Sequence, residues 1–301
     1  MALNYNVNDF IHEDDRKAME ALRALPGFDQ LTKAFMKAFS ERQFKILNLS
    51  SGIKLSSEQC PRVYNLLVPI CEKFGIDVPD LYLTLDRYPN AGTYGDNYIF
   101  INVTSGLLEL MSDEEIQTVL AHECGHIVCK HTLYHTMGTL ILDGAEAILG
   151  LGGFITLALR VAFYYWMRCS EFSADRVSAV FCGGSDRVVD VMLRLAGGSK
   201  ELAGELNTDL FLKQADEYKE YIEESSWNKM VEFYALMKRS HPFTAVRASS
   251  IKEWCETDTF KKVAFGEEPK PAESGVKFCP SCGTPVDGDW AFCFKCGNKL
   301  K

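Results

Sequence analysis

The sequence predicts an α+β fold, in which a mostly helical domain with a small sheet precedes a small cysteine-rich module. Two short β-type runs come before a long amphipathic helix, and the other patterned stretches have helical spacing. Four of the eleven cysteines lie beyond residue 278. Roughly 250 residues before a Pro-bearing linker, with 47% hydrophobic residues overall, are enough for one well-buried domain.

Two strands are predicted, over Leu81–Leu85 and Tyr98–Val103, because both runs are rich in aliphatic, β-branched and aromatic residues. The segment between them contains Tyr88–Gly92, whose proline, asparagine and glycine indicate a turn. Nearer the N-terminus, amphipathic helices are predicted over Asp14–Leu25 and Phe28–Phe44, split by a proline and a glycine. We expect these two helices to pack on the main domain.

The long helix is predicted to begin at Ser112, which forms a capping-box pattern with Glu115. Apolar residues continue beyond the cap at helical spacing, so this helix is expected to pack on a core. His122, Glu123 and His126 fall within it as His-Glu-x-x-His. At about 100° per residue, the two histidines lie about 40° apart and one turn along, so both imidazoles can bind one metal ion.

The pattern His-Glu-x-x-His is typical of hydrolytic zinc sites. Zinc keeps a coordination position for water and lowers the pKa of that water to about 7, so a nearby carboxylate can take the proton. Glu123 is the residue in position to do so. Strands followed by such a helix indicate a zincin-like peptidase domain, and we expect Tyr98–Val103 to be an exposed edge strand that pairs with the substrate.

A third protein ligand is needed, because two histidines leave zinc under-coordinated. The metzincin extension requires glycine at position 129 and histidine at position 132, where this chain has Cys129 and Thr132. His131 comes one position too early. On a continuing helix it points roughly 140° away from His126, which leaves it a supporting role at best.

Three acidic residues are candidates for the third ligand. Glu146 lies about where thermolysin-like enzymes place their glutamate, but no clear break separates it from the long helix. Glu171 is favoured, because Asp175 follows one turn later on the same helical face. Glu171 can then bind the metal while Asp175 fixes a ligand imidazole, and Asp175 as the ligand itself is the remaining alternative.

Motifs along much of the chain resemble those of the M48 peptidase family, which contains the HtpX-like proteases and the CAAX prenyl proteases. The resemblance covers roughly residues 56–255. Its motifs are, in chain order, Asn90-Ala91, Thr104 to Leu108, His122 to His131, Glu171 with Asp175, and His241-Pro242 with Arg247.

The resemblance implies a zinc-dependent endopeptidase that acts on protein or peptide substrates. Glu123 would be the general base, His241 would donate a hydrogen bond to the oxyanion, and Arg247 would pair with Asp175. A donor directed at developing negative charge makes a large catalytic difference, which favours that role for His241. The zinc ligands implied by the resemblance are His122, His126 and Glu171.

Many members of this family carry membrane-spanning helices. The longest uncharged apolar run here, Ala147–Leu159, is shorter than the ~18–20 residues of a span, and Arg160 follows it. A single crossing would also place His126 and Glu171 on opposite sides of the membrane. Residues 147–167 therefore predict a buried helix or helical hairpin, and the alternative is a peripheral membrane contact through their aromatic residues.

The C-terminus contains two Cys-x-x-Cys knuckles, each followed by glycine, with ten residues between them. Four thiolates at this spacing predict a zinc ribbon with a closed structural site, whose folding depends on the metal. Disulfides are the alternative, but the other seven cysteines form no framework. Such a module can hold a protein partner. Its predicted ligands are Cys279, Cys282, Cys293 and Cys296.

The predicted organisation is an N-terminal helical region (1–55), a peptidase domain (56–260), a linker (261–277) and a zinc ribbon (278–301). Two zinc ions are expected, one catalytic and one structural. The formal charge of -9 argues against nucleic-acid binding. The scattered cysteines and the lack of a secretion signal favour the cytoplasm, with or without membrane association. The alternative function is that of a non-catalytic or latent protein-binding adaptor.

Overall fold

A computed structural model describes residues 2–38, 41–142, 144, 156–199, 201–202, 204–225, 228 and 243–266. Near the C-terminus it describes residues 277–278, 281–282, 285–286, 295–296 and 298–299. These ranges include the sheet, the helix that carries His-Glu-x-x-His and the helices packed around it.

The described part of the chain is mostly helical. Its helices are α1 (Glu13–Ala24), α2 (Phe28–Ala38), α3 (Glu41–Ser51), α4 (Pro61–Phe74), α5 (Ser105–Leu110), α6 (Asp113–Val128), α7 (Thr132–Leu142), α8 (Leu157–Cys182), α9 (Asp186–Gly197), α10 (Thr208–Glu223), α11 (Thr244–Cys255) and α12 (Asp258–Phe265). Together with the small sheet described next, they confirm the predicted α+β, zincin-like class.

The sheet has four strands in the order β1-β2-β4-β3, namely β1 (Ile53–Leu55), β2 (Asp80–Thr84), β3 (Ala91–Tyr94) and β4 (Phe100–Thr104). Strand β2 runs parallel to β4, whereas β1 and β3 are antiparallel to their neighbours. Strand β4 is therefore an inner strand, and the prediction that Tyr98–Val103 forms an exposed edge is wrong. The edge strand beside it is β3, which begins inside the segment predicted to be a turn.

Helix α6 is the central element of the fold. It begins with the predicted capping box, in which the Glu115 amide donates to Ser112 and the Ser112 amide donates to the Glu115 carboxylate. The helix packs against α4, α8 and β3, and Leu120 and Cys124 are fully buried in the main hydrophobic cluster. Because α6 is covered on several faces, the histidines that it carries are buried as well.

The N-terminal helices pack on the domain, as expected from their amphipathic pattern. Helix α1 lies along α8, and Leu22 of α1 joins Phe163 and Trp166 of α8 in a second hydrophobic cluster. Within the predicted Phe28–Phe44 helix, the described residues belong to α2 and to the first part of α3. The cluster places α1 close to the end of α6 that carries the metal-ligand pattern.

Helix α8 is the longest described helix, with 26 residues. Its N-cap is Thr156, whose hydroxyl accepts a hydrogen bond from the Leu159 amide. The Arg160 guanidinium donates to the Ile141 carbonyl oxygen, so this charge is held by the end of α7. Within the described residues, none of the helices combines the length and the apolar character needed to cross a membrane. Residues 147–155 of the segment discussed above lie outside the description.

Candidate metal centre

Three of the predicted ligands converge between α6 and α8. The Glu171 carboxylate lies between the two histidines, with Oε2 3.5 Å from His122 Nε2 and Oε1 3.4 Å from His126 Nε2. All three side chains are buried, and one ligand atom from each lies within 4.8 Å of the others. The arrangement brings two imidazoles and one carboxylate to a single point.

This donor set fits zinc. Two ligands of a tetrahedral zinc ion lie roughly 3.3–3.6 Å apart when each is about 2.0–2.2 Å from the metal. The separations of 3.4 and 3.5 Å between Glu171 and the histidines are in that range. Two histidines and a glutamate, with a further coordination position for water, are typical of catalytic zinc sites.

The close approach of α6 and α8 depends on Gly125, the residue before His126. A Cβ atom at this position would lie 2.7 Å from the Ala174 carbonyl oxygen and 2.8 Å from its Cα. Only glycine therefore lets α6 come near enough to α8 for Glu171 to reach both histidines. The residues around Gly125 give no sign of this role, because they do not show which residue of α8 faces the glycine.

Glu123 lies beside the ligands and is held by the edge strand β3. The Thr93 hydroxyl is 2.6 Å from Glu123 Oε2 and 3.1 Å from the Glu123 carbonyl oxygen, and both residues are buried. A hydrogen bond from a hydroxyl to a carboxylate is charge-assisted and fixes the rotamer of the acid. Nothing in the sequence indicates this role for Thr93, because no strand was predicted there, just after the predicted Tyr88–Gly92 turn.

His122 is supported directly by Asp175, with 2.9 Å between its Nδ1 and Asp175 Oδ1. Arg247 from α11 grips both oxygens of Asp175, through Nε at 2.8 Å and Nη2 at 2.6 Å, and its Nη1 lies 3.0 Å from Glu171 Oε2. The structure thus brings together Asp175, Arg247 and the ligand Glu171, all buried.

The charges around His122 favour a cation at this position. Burial alone would lower the pKa of His122, but the hydrogen bonds and charges of Asp175 and Glu171 raise it to about 10. Burial would raise the pKa of Asp175, but Arg247 and His122 hold it below its usual range. Burial lowers the pKa of His126, which keeps its imidazole neutral. A neutral imidazole is the form that binds a metal.

His126 has a different support. Its Nδ1 lies 3.1 Å from Nδ1 of His131, and Nε2 of His131 lies 3.0 Å from Asp15 Oδ2 on α1. The prediction that His131 points away from His126 is wrong, because α6 ends at Val128 and the chain turns there. Lys130 adopts a left-handed conformation, with φ of 60°, which returns His131 toward the site. Asp15 was missed, since no short-range pattern connects α1 with α6.

Several predicted site residues lie outside the described residues, namely His241, Glu146, Cys279 and Cys293. Cys282 and Cys296 are described, and both lie in exposed turns. Strands β5 (Lys277–Phe278) and β6 (Pro285–Val286) pair with each other in antiparallel orientation. These two strands lie on either side of Cys282 in the sequence.

The fold and the donor set of the candidate site are typical of metallopeptidases. The model of peptidase family M48 matches residues 62–255, and a zinc-ribbon domain model matches residues 278–300. The chain belongs to peptidase family M48 and carries a C-terminal zinc ribbon, which confirms the resemblance found in the sequence. The M48 model does not include α1 or Asp15.

Curated relatives agree with this assignment. A plastoglobule-localized metallopeptidase 48 of the chloroplast, from Arabidopsis thaliana, is 32% identical over 86% of this chain and 75% of its own length. A protease HtpX homolog from Sulfurovum is 35% identical over 44% of this chain and 56% of its own length. A second HtpX homolog, from Pelotomaculum thermopropionicum, is 25% identical over 54% of this chain and 68% of its own length. No solved structure matches the chain.

Proposed function

We propose that this protein is a zinc-dependent endopeptidase that hydrolyses peptide bonds of protein substrates. The observation that carries the proposal is the convergence of His122, His126 and Glu171, with the carboxylate of Glu123 held beside them by Thr93. A site that only bound protein partners would have no need of Glu123. Membership of a metallopeptidase family supports the same chemistry.

In this proposal Glu123 moves protons during the reaction. Thr93 Oγ1 donates to Oε2 of Glu123, so Oε1 is the oxygen left to accept a proton from the attacking water. The same oxygen then returns the proton to the leaving amine. Zinc, when bound by the two histidines and Glu171, would acidify the water and polarise the scissile carbonyl. His241 is proposed to add a hydrogen-bond donor for the oxyanion.

We propose that the substrate binds along β3 in extended form. Strand β3 is the edge strand on the side of the site, because Thr93 in it contacts Glu123. An edge strand offers main-chain hydrogen bonds that do not depend on sequence, which suits a protease of broad specificity. Strand β4 cannot take this part, since β2 and β3 occupy both of its sides.

For the C-terminal module we propose a structural zinc ion bound by Cys279, Cys282, Cys293 and Cys296, and a protein partner held by the ribbon. The proposed organisation is 1–55, 56–260, 261–277 and 278–301. The seven cysteines outside the ribbon form no disulfide, which supports a reducing compartment such as the cytoplasm. Peripheral membrane contact through residues 147–167 remains part of the proposal.

The test compares the wild type with Glu123→Gln and Glu171→Ala. Glu123→Gln should keep both zinc ions and the fold, but its peptide hydrolysis should fall by about 10²–10⁴, because it removes proton transfer. Glu171→Ala should lose one zinc ion and keep that of the ribbon. Metal analysis and cleavage of a peptide library measure both effects. Cleavage by Glu123→Gln at the wild-type rate would contradict the proposed mechanism.

A further inference from the structure

Asp15 is a buried carboxylate that the proposed mechanism does not use. It is 3% exposed and contacts three potential donors: His131 Nε2 at 3.0 Å, Trp166 Nε1 at 2.8 Å and Ser173 Oγ at 2.6 Å. Trp166 and Ser173 belong to α8, so Asp15 fastens α1 to the helix that also carries Glu171. The contact with His131 connects Asp15 to the metal site, because His131 in turn contacts the predicted zinc ligand His126.

The hydrogen-bond roles along this contact can be assigned. Burial would raise the pKa of Asp15, but the hydrogen bonds from His131, Ser173 and Trp166 lower it. Asp15 is therefore an ionised carboxylate that can only accept. His131 Nε2 therefore donates to Asp15, and an imidazole whose single proton lies on Nε2 accepts through Nδ1.

The acceptor on His131 fixes the tautomer of His126. Nδ1 of His126 must donate its proton to Nδ1 of His131 across 3.1 Å. The free lone pair of the His126 imidazole is then on Nε2. Nε2 is the nitrogen that lies 3.4 Å from Glu171 Oε1, on the side of the predicted metal. The geometry points to Asp15 as a positioning residue that, through His131, orients His126 and presents its Nε2 lone pair to zinc. This inference rests on the proposed function, because it requires His126 to be a zinc ligand.

A second metal ion is the competing explanation of the same cluster. One ligand atom each from His126, His131 and His135 lie within 4.8 Å of one another. However, an ion there would have to bind Nδ1 of His126 while the catalytic zinc binds Nε2, which requires an imidazolate bridge. The Nδ1 atoms of His126 and His131 are already at hydrogen-bond distance. A hydrogen-bonded chain from His126 through His131 to Asp15 satisfies these nitrogens without a second ion.

The test is the zinc affinity of the full chain, measured by competition with a chelator, for Asp15→Asn and His131→Phe. Each variant should weaken zinc binding at the peptidase site by about tenfold, the lower end of the effect for groups that orient metal ligands. The double variant should bind no more weakly than either single variant, since both break one chain. In the cobalt-substituted protein, the absorption of the His/Glu site should change, whereas the thiolate bands of the ribbon should not.

Two matched variants separate positioning from general damage. Asp14→Asn removes the same charge from the same turn of α1, but the Asp14 side chain is 55% exposed. The zinc affinity of the Asp14→Asn variant should therefore equal that of the wild type. Trp166→Phe removes a different bond to Asp15 and should lower stability without weakening zinc binding. If Asp15→Asn does not fold, His131→Phe alone decides the question.

The outcomes are distinguishable. Wild-type affinity in folded Asp15→Asn and His131→Phe would overturn the inference, and so would a further zinc ion that is lost from His135→Ala while the peptidase site stays loaded. Absence of zinc from the peptidase site of the wild type would instead contradict the proposed function itself.

Discussion

His122 and His126 lie one turn apart on α6, yet they are held from different parts of the chain. His122 rests on Asp175, which Arg247 grips, and all three lie within the segment that matches the family model. His126 rests on His131, which contacts Asp15 on a helix outside that segment. The support of His122 therefore belongs to the peptidase segment itself. The support of His126 depends on an N-terminal helix that packs against that segment.

The largest expected effect breaks the support of His122. Arg247→Met leaves Asp175 and Glu171 buried without their guanidinium, and should lower the free energy of unfolding of the metal-free protein by about 3–5 kcal/mol. Urea denaturation measures this loss. Arg62→Met is the control, since Arg62 and Asp113 form an ion pair that is about half exposed, and its loss should be about 0–1 kcal/mol. Equal losses in the two variants would show that the buried pair contributes little.

The next effect concerns both histidines at once. Gly125→Ala places a Cβ atom 2.7 Å from the Ala174 carbonyl oxygen, so α6 and α8 must move apart. We expect a loss of about 1–3 kcal/mol in stability, together with weaker zinc binding, because Glu171 no longer reaches both histidines. The control is Gly184→Ala, whose Cβ would have no neighbour within 4 Å. Unchanged zinc affinity in Gly125→Ala would contradict the role of the close approach.

The smallest expected effect is a change in zinc affinity, which compares the support of His122 with that of His126. Asp175→Asn removes a carboxylate that contacts His122 itself, whereas Asp15→Asn acts on His126 only through His131. Groups that orient metal ligands are worth about 10–100-fold in affinity, and we expect Asp175→Asn near the upper limit and Asp15→Asn near the lower. Chelator competition on both proteins gives the ratio. A larger loss from Asp15→Asn would reverse the ranking of the two supports.

Local spacing was sufficient to predict which of the candidate ligands share a helical face. His122 and His126 share a helical face, and Glu171 and Asp175 share another, so each pair follows from the helical repeat alone. The capping box at Ser112 also identified the start of α6 correctly. These features depend on residues only a few positions apart, which is the range over which a sequence pattern has physical meaning.

Features that depend on distant segments could not be predicted. The predicted turn over Tyr88–Gly92 includes the first two residues of β3, because the short Ala91–Tyr94 segment contains no strong β-type run and becomes a strand by pairing with β4. His131 lies close to His126 and does not point away from it, because α6 ends at Val128 instead of continuing to position 131. Asp15 meets Ser173 across 158 positions of sequence, and only tertiary packing brings them together.

The long separation between Asp15 and α8 has a consequence for the time course of synthesis. Asp15 and Ser173 are 158 positions apart, and at roughly 5–20 residues per second a ribosome needs about 10–30 s to make the intervening chain. Arg247 follows Asp175 by a further 72 positions. A nascent chain thus contains all three predicted ligands before Arg247 has been translated. Until then, the carboxylates of Asp175 and Glu171 lack the guanidinium that contacts them in the folded protein. The candidate site is therefore completed only after the segments from α1 to α11 have been synthesised.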